Sequence, residues 1–370
     1  MDNQPRHIRY LFIMALLFFI GGCRTDEQAL DAEPVISVSE DLITPIDKPP
    51  SADILFGFSS VIPPEGDLEI AYQQASTLAD FTSLWVGSSE VGAWNLADVL
   101  GGEWGDTILG DYIRGNGLIP IINLSFLDMD PQTGKLILME PEPGVYTSLS
   151  DPKFREDYKK GALDVLRVTK PRYLSLGNEV NRWYEEYGAD PDDPDGFQHF
   201  VSLYEEIYQE IKKISPGTIV FCIFAREIVP ENRTADLTVL TLFDPAMMDM
   251  VVLTTYPFAV EDINLVSEIP DDYYRQVLNV LGMSEKPLGF SEIGWSSLDF
   301  FGGEDAQAQL LEDITGRLTI EQGIELDLVA WWSLYDLEND PHQSGLISRG
   351  YREKPVFKTW LNLIESVGEK

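Results

Sequence analysis

Eight short apolar runs, separated by longer polar stretches, organise the chain from residue 54 onwards. They are rich in β-branched and aromatic residues and almost continuously hydrophobic, which is typical of strands that are buried on both faces of a parallel sheet. The predicted strands cover residues 54–59, 81–86, 118–124, 173–176, 219–224, 250–255, 288–291 and 328–334.

Helical patterns fill most of the intervals between these runs. Asp151 and Pro152, for example, are typical of an N-cap followed by a first-turn proline. The predicted helices cover 67–80, 151–168, 197–211, 272–281, 305–319 and 356–364, and weaker patterns lie near 96–113 and 237–243.

Eight strand–helix units between residues 52 and 370 predict an α/β protein with a single (β/α)₈ TIM barrel. The main structural alternative is an open, doubly wound sheet. Such sheets commonly carry a glycine-rich phosphate-binding turn after the first strand, and here only Gly57 is present. We therefore expect one barrel domain over residues 52–370.

The first 22 residues predict a signal peptide of the lipoprotein type. Arg6 and Arg9 precede the apolar run 11–20, which is too short to cross a bilayer as a helix. The sequence Ile-Gly-Gly-Cys that ends at Cys23 resembles a bacterial lipobox, so we expect lipidation of Cys23 and a cell-envelope protein anchored by that lipid. A plain secretory signal is the alternative.

Residues 23–51 predict a tether between this anchor and the barrel. The segment mixes acidic residues with four prolines and shows no sustained apolar period, a composition that does not bury a core.

The charge of the chain limits its partners. With 62 acidic and 26 basic residues the formal net charge is −36, which argues against binding nucleic acid or an anionic membrane surface. A neutral glycan is compatible with this charge, and so is a merely well-solvated surface without a specific role. We expect a monomer that contacts the membrane only through its lipid.

Two glutamates mark the ends of predicted strands. Glu179 follows the fourth strand in Leu-Gly-Asn-Glu-Val, and Glu292 follows the seventh in Gly-Phe-Ser-Glu-Ile-Gly-Trp. Retaining glycosidases need two carboxyl groups about 5–5.5 Å apart. Strands four and seven of an eight-stranded barrel face each other across its mouth, so the two glutamates are the candidate catalytic pair.

These motifs resemble clan A of the retaining glycoside hydrolases, whose signature places Asn-Glu after strand four, Glu after strand seven, Tyr on strand six and Trp on strand eight. The sequences around Glu179 and Glu292 are similar to motifs of endo-β-1,3-glucanases, and Thr-Tyr-Pro-Phe at 255–258 is also similar to endo-β-1,4-galactanases. The matching residues here are Asn178, Glu179, Tyr256, Glu292, and Trp331 or Trp332.

The resemblance implies a role for each residue. Glu179 would be the general acid/base and Glu292 the nucleophile, Asn178 would contact the sugar 2-hydroxyl, and Tyr256 would orient the nucleophile. A tryptophan of strand eight would form the floor of the central sugar-binding subsite, and of the two candidates we favour Trp331 for this position. Additional candidates for sugar contact at other strand ends are Asn123, Trp183 and Trp295.

The resulting prediction is a retaining glycoside hydrolase that cleaves a neutral β-linked poly- or oligosaccharide by double displacement, without metal or cofactor. A transglycosylase that uses the same pair is one alternative, and a non-catalytic glycan-binding lipoprotein is another. Histidine chemistry is disfavoured because only His199 and His342 lie outside the signal peptide.

Overall fold

The computed structural model describes residues 42–47, 54–84, 91–130, 132–280, 285–316, 318, 321–338 and 340–368. The predicted signal peptide, Cys23 and most of the predicted tether lie outside these ranges. All eight predicted strands are present: β1 Leu55–Ser60, β2 Phe81–Leu84, β3 Ile119–Asn123, β4 Tyr173–Ser175, β5 in two segments Ile219–Phe221 and Ile223–Ala225, β6 Val251–Thr255, β7 Leu288–Ile293 and β8 Leu326–Ser333.

The eight strands form a parallel ring. Strand β1 pairs with both β2 and β8, and the pairing continues through β3 to β4 on one side and through β7 to β6 on the other. The first segment of β5 pairs with β4 and the second with β6, so β5 joins the two sides. The predicted (β/α)₈ barrel is confirmed.

Two apolar layers hold the barrel together. Alternate strand residues such as Leu55, Phe81 and Val252 fill its interior, and their neighbours pack outwards against the helices. Gly57 leaves room for the inner layer, because a Cβ atom at this position would lie 2.6 Å from the ring of Phe81.

Most of the predicted helices are also present. Asp151 caps its helix by accepting a hydrogen bond from the amide of Lys153, as the sequence predicts. None of the described helices is long and apolar enough to cross a membrane. The α-helices in the predicted positions are Leu68–Ala75, Pro152–Thr169, Gln198–Ile214, Arg275–Val280, Gly303–Gly316 and Pro355–Gly368, and a short additional helix covers Asn181–Tyr187.

The two weaker helical patterns form irregular helices. The first is divided into Leu96–Leu100, Glu103–Gly105 and a π-helix Asp106–Ile113, and four glycines in this stretch weaken a regular α-helix. The second is a 3₁₀-helix, Leu237–Leu242.

Two small antiparallel hairpins stand on the loops that follow β3 and β5. They pair Leu127–Met129 with Leu136–Leu138, and Glu227–Ile228 with Arg233–Thr234. Neither was predicted from the sequence.

The first described segment, which falls within the predicted tether, packs against the base of the barrel. The amide of Ile43 donates to the carbonyl of Ile214 over 2.7 Å. The carboxylate of Asp47 accepts from the amide of Arg172 and from the Arg114 guanidinium. Since these partners precede the strands, the segment lies at the end of the barrel opposite to the strand ends that carry the two glutamates.

Candidate active site

A polar layer closes the barrel interior at the carboxyl ends of its strands. The inward positions change from apolar to polar two residues beyond the last interior apolar residue or glycine, as in the step from Gly57 to Ser59. Since the strands are parallel, these side chains meet at one mouth, where barrel enzymes bind their substrates. The buried members that follow this step are Ser59, Ser83, Asn123, Ser175 and Thr254. Glu292 joins them through a register irregularity between β6 and β7, which pairs Thr254 with Glu292 directly after the pair Leu253 and Phe290.

Glu292 is held by two hydroxyl groups. Its side chain is largely buried, with 8% of the residue exposed. The Tyr256 hydroxyl donates to Oε2 over 2.6 Å, and the Ser59 hydroxyl donates to Oε1 over 3.2 Å. With one donor on each oxygen, the carboxyl group has a fixed orientation at the end of β7.

Glu179 lies on a tight turn between β4 and the helix Asn181–Tyr187. Its φ of +46° is in the left-handed region that residues other than glycine seldom adopt, and such strain concentrates at functional sites. The Thr254 hydroxyl donates to Oε1 over 2.7 Å, and Nη1 of Arg182 lies 3.2 Å from Oε2.

Thr254 brings the two acids to the same part of the mouth. It hydrogen-bonds Glu179, and in the β6–β7 ladder it is the register partner of Glu292. The electrostatics reflect this proximity: burial, followed by the negative charge of Glu179, raises the pKa of Glu292 to about 8. The hydrogen bonds from Tyr256 and Ser59 oppose this increase.

This pKa is important for the predicted roles. Glu292, the predicted nucleophile, holds a proton up to about pH 8 in the free protein, whereas a nucleophile must be ionised to attack. The rate of a reaction that uses Glu292 as nucleophile should therefore rise with pH through the neutral range.

Three buried polar atoms near this pair have no hydrogen-bond partner within the described part of the chain. They are Oγ of Ser83 on β2, Oδ1 of Asn123 on β3, and Oδ1 of Asn178 in the turn that follows β4. Buried polar atoms are normally hydrogen-bonded, so these three are unsatisfied hydrogen-bonding groups. The structure thus places Asn123 and Asn178, both predicted to bind sugar, on one side of the mouth.

Comparison with known proteins supports the fold. No protein-family model matches the chain, and no curated protein does. Solved structures do match. The chain shares its (β/α)₈ barrel fold with solved glycoside hydrolase structures. Similar structures are an exo-β-1,4-mannosidase, Op5Man5, from Opitutaceae bacterium strain TAV5 (TM-score 0.58, 15% identity, 85% of this chain and 60% of that chain), GH5_18 from Streptomyces cattleya in complex with GlcNAc (0.57, 12%, 86% and 81%), and native xylanase 10B from Thermotoga maritima (0.56, 13%, 86% and 97%). The predicted resemblance to barrel glycoside hydrolases is confirmed at the level of the fold.

The barrel geometry contradicts the preference for Trp331 over Trp332. Leu328 and Ala330 point into the barrel, so alternation places Trp332 on the inner side and Trp331 among the helices. Trp331 has no exposed surface, and its indole N–H donates to the carbonyl of Ser344. Trp332 is half-buried, and its ring centre lies 6.2 Å from that of Tyr256.

Trp183 and Trp295 are also buried, contrary to their predicted contact with sugar. The indole N–H of Trp183 donates to the carbonyl of Asp195, and that of Trp295 to the carbonyl of Phe301. Both rings pack the mouth loops from within and present no face to a substrate.

Ser59, Ser83 and Thr254 were not predicted as site residues. The sequence signal for them is the alternation of side chains along a strand: each is a polar residue two positions beyond an inward-facing apolar residue or glycine.

A cavity of about 330 Å³, partly open to solvent, lies beside Tyr256. Its walls include Val229, Phe258, Phe301 and His342 from loops after β5 to β8. Among the described residues, no cluster of three or more His, Cys, Asp or Glu side chains is arranged to hold a metal ion.

Proposed function

We propose that the protein is a retaining glycoside hydrolase that acts on a neutral β-linked glycan. The observation that supports this most is the linked pair of acids: Glu179 hydrogen-bonds Thr254, and the register partner of Thr254 is Glu292, which Tyr256 and Ser59 orient. Double displacement requires two adjacent carboxyl groups, one as general acid/base and one as nucleophile, and the barrel mouth supplies both.

In the first step Glu179 protonates the glycosidic oxygen, while Glu292 attacks the anomeric carbon and forms a glycosyl ester. In the second step Glu179 removes a proton from water, which hydrolyses the ester with net retention of configuration. The transition state carries positive charge at the anomeric carbon, and this charge favours the ionised form of the adjacent Glu292. A bound substrate therefore offsets part of the burial effect that raises the pKa of Glu292 in the free protein.

The substrate side of the mouth suits hydroxyl groups. The Oδ1 atoms of Asn123 and Asn178 have no donor within the described part of the chain, and sugar hydroxyls are donors of the kind they lack. The Ser83 hydroxyl can both donate and accept. A net charge of −36 disfavours an anionic glycan.

The first experiment measures release of reducing ends from β-1,3-, β-1,4- and β-1,6-linked neutral glycans. On a substrate that the wild type cleaves, Glu179→Gln should lose about 10²- to 10⁴-fold in rate, as expected for a general acid. Glu292→Gln should lose still more, because no covalent intermediate forms. Wild-type rates in Glu292→Gln would exclude the proposal, and Asp47→Asn at the barrel base provides a control carboxylate outside the site.

Azide assigns the two roles separately. With Glu179→Ala, azide should intercept the glycosyl ester and give a β-glycosyl azide. With Glu292→Ala, azide should attack an activated substrate directly and give the α-anomer. The opposite pair of anomers would exchange the proposed roles of the two glutamates.

Product length distinguishes hydrolysis from transfer. At high oligosaccharide concentration a hydrolase gives shorter products, whereas a transglycosylase also gives longer ones. Tight binding across the glycan panel without new reducing ends would favour the non-catalytic alternative.

We also propose that the protein is a lipoprotein anchored through Cys23. Its support is the lipobox-like sequence before Cys23, which lies outside the described residues. Mass spectrometry of the N-terminal peptide should show acylation, and Cys23→Ser should move the protein from the detergent phase to the aqueous phase. An unmodified Cys23 in the native host would contradict the anchor.

A further inference from the structure

A third buried carboxylate lies behind the proposed catalytic pair and takes no part in the reaction described above. Glu227 follows β5 and is only 5% exposed. Its carboxylate accepts three hydrogen bonds: from the amide of Tyr256 over 2.7 Å, from the hydroxyl of Tyr273 over 2.7 Å and from the hydroxyl of Thr255 over 3.0 Å. Burial of a carboxylate is costly, and these three donors offset part of that cost and fix the position of the group.

The side chain of Glu227 accepts a hydrogen bond from Tyr256, directly after β6, at the point where the backbone of β5 no longer pairs with that strand. The ladder between β5 and β6 ends with the pair Ala225 and Thr254, after which β5 turns into its hairpin. The amide of Tyr256 lies beyond this last pair, and the Glu227 carboxylate accepts its hydrogen bond. The carboxylate thus takes the place of a strand carbonyl as the acceptor for this amide.

Neighbouring groups fix the carboxylate itself. The Arg226 guanidinium lies over the Tyr273 ring, 3.9 Å from its centre, and donates to the Tyr273 carbonyl. Tyr273 in turn donates its hydroxyl to Glu227. The positions of Glu227 and the loop after β6 are therefore mutually constrained.

Tyr256 transmits this constraint to Glu292. Its hydroxyl donates to Oε2 of Glu292, and its ring packs against Trp332. Gly294 allows this placement, because a Cβ atom there would lie 2.6 Å from the Tyr256 ring. The backbone, ring and hydroxyl of Tyr256 are thus all held, the backbone by Glu227.

We propose that Glu227 is a positioning residue that acts through Tyr256 to fix the orientation of the Glu292 carboxylate. The proposal rests on the proposed glycosidase function. It differs from a general structural role in one respect: the effect of removing Glu227 must disappear when the Tyr256 hydroxyl is already absent.

A double-mutant cycle tests this point, with Glu227→Leu, Tyr256→Phe and the combination, on a substrate that the wild type cleaves. Glu227→Leu should lower kcat by up to about 100-fold, the size of effect that a misplacement of about 1 Å produces, with little change in KM. The acidic limb of the pH profile should move to higher pH. The double variant should be no slower than Tyr256→Phe alone.

Glu227→Gln adds a rescue arm. Its amide oxygen can still accept from the Tyr256 amide, and the two hydroxyls can rotate to accept from its NH₂ group, so kcat should stay within a few-fold of the wild type. If Glu227→Leu does not fold, Glu227→Asp gives the same cycle with a shortened reach.

Three results would overturn the proposal: multiplicative losses in the cycle, an unchanged pH profile in Glu227→Leu, or equal losses in the Gln and Leu variants. A wild type that cleaves no glycan would instead refute the proposed function. Asp47→Leu is the matched control, since it removes a buried carboxylate that also accepts a backbone N–H. It should lower Tm without changing the pH profile.

Discussion

At the scale of single residues, the surroundings of Glu292 favour its protonated form. Burial and the charge of Glu179 raise its pKa to about 8, well above the value of a carboxyl group in an unfolded chain. The contribution of this group to stability is fully present below the unfolded pKa and is lost as pH rises through about 8. Above that pH Glu292 is ionised in the folded protein. Its hydrogen bonds offset only part of the cost of removing this charge from water.

Glu292→Gln should therefore stabilise the protein at alkaline pH. Its amide keeps the shape of the side chain and cannot ionise, so Tm at pH 8.5 should rise by a few degrees, or about 1–2 kcal/mol for a domain of this size. At pH 4 the difference should shrink, because the wild-type group is then protonated. Calorimetry at both pH values measures this, and an equal or lower Tm at pH 8.5 would contradict the assigned environment.

Tyr256→Phe should shift the pH dependence of activity. The Tyr256 hydroxyl stabilises the ionised carboxylate, so its removal raises the pKa of Glu292 further. The acidic limb of kcat/KM should move to higher pH. Tyr208→Phe is the control, since that hydroxyl donates to Asp249, which precedes β6 at the opposite end of the barrel. A limb that moves to lower pH in Tyr256→Phe would refute the proposed hydrogen-bond role.

The sequence indicated some residues of the site better than others. Glu179 and Glu292 stand out because a carboxylate directly after an apolar strand is unusual and is expensive to bury. The choice between Trp331 and Trp332 depended on which face of β8 points inwards. A strand that is buried on both faces is apolar at nearly every position, so its sequence does not show which face points inwards.

At the scale of elements, the loop after β8 depends on a buried ion pair. Nζ of Lys354 lies 2.6 Å from Oδ1 of Asp336, and both side chains are almost completely buried. The same oxygen accepts from the amide of Gly345. The pair thus ties the start of this loop to the residue before the final helix, Pro355–Gly368.

Lys354→Met should destabilise the protein by about 3–5 kcal/mol, because it leaves Asp336 as an uncompensated buried charge. Arg352→Met is the matched control: its pair with Glu304 is exposed and should contribute less than about 1 kcal/mol. Urea unfolding measures both. Equal losses in the two variants would show that burial of the Lys354 pair is unimportant.

The strands could be predicted more fully than the connections between them. Continuous apolar runs identify strands of a parallel barrel because helices cover one face and the interior core the other. The strands of the hairpins after β3 and β5 are only two or three residues long, too short for a periodic pattern to identify them. They are held by contacts with distant parts of the chain, such as the Leu136 amide, which donates to Glu186.

At the scale of the whole molecule, the net charge of −36 produces self-repulsion in the folded state. Added NaCl should raise Tm at pH 7 between low ionic strength and 0.15 M, where the Debye length falls to about 8 Å. At a pH where acidic and basic charges balance, the same addition should have little effect. A salt-independent Tm at pH 7 would indicate that the acidic residues are too widely spaced to repel one another.

The attachment of residues 42–47 to the barrel base places the start of the described chain at the end of the barrel opposite to the mouth. If Cys23 carries a lipid, at most 19 residues lead from it to Leu42, a reach of no more than about 70 Å. Such a tether would then join the molecule at the base of the barrel, at the end opposite to the mouth. A long polymer could thread across the mouth without passing between protein and bilayer, and its released fragments would diffuse away from the cell surface.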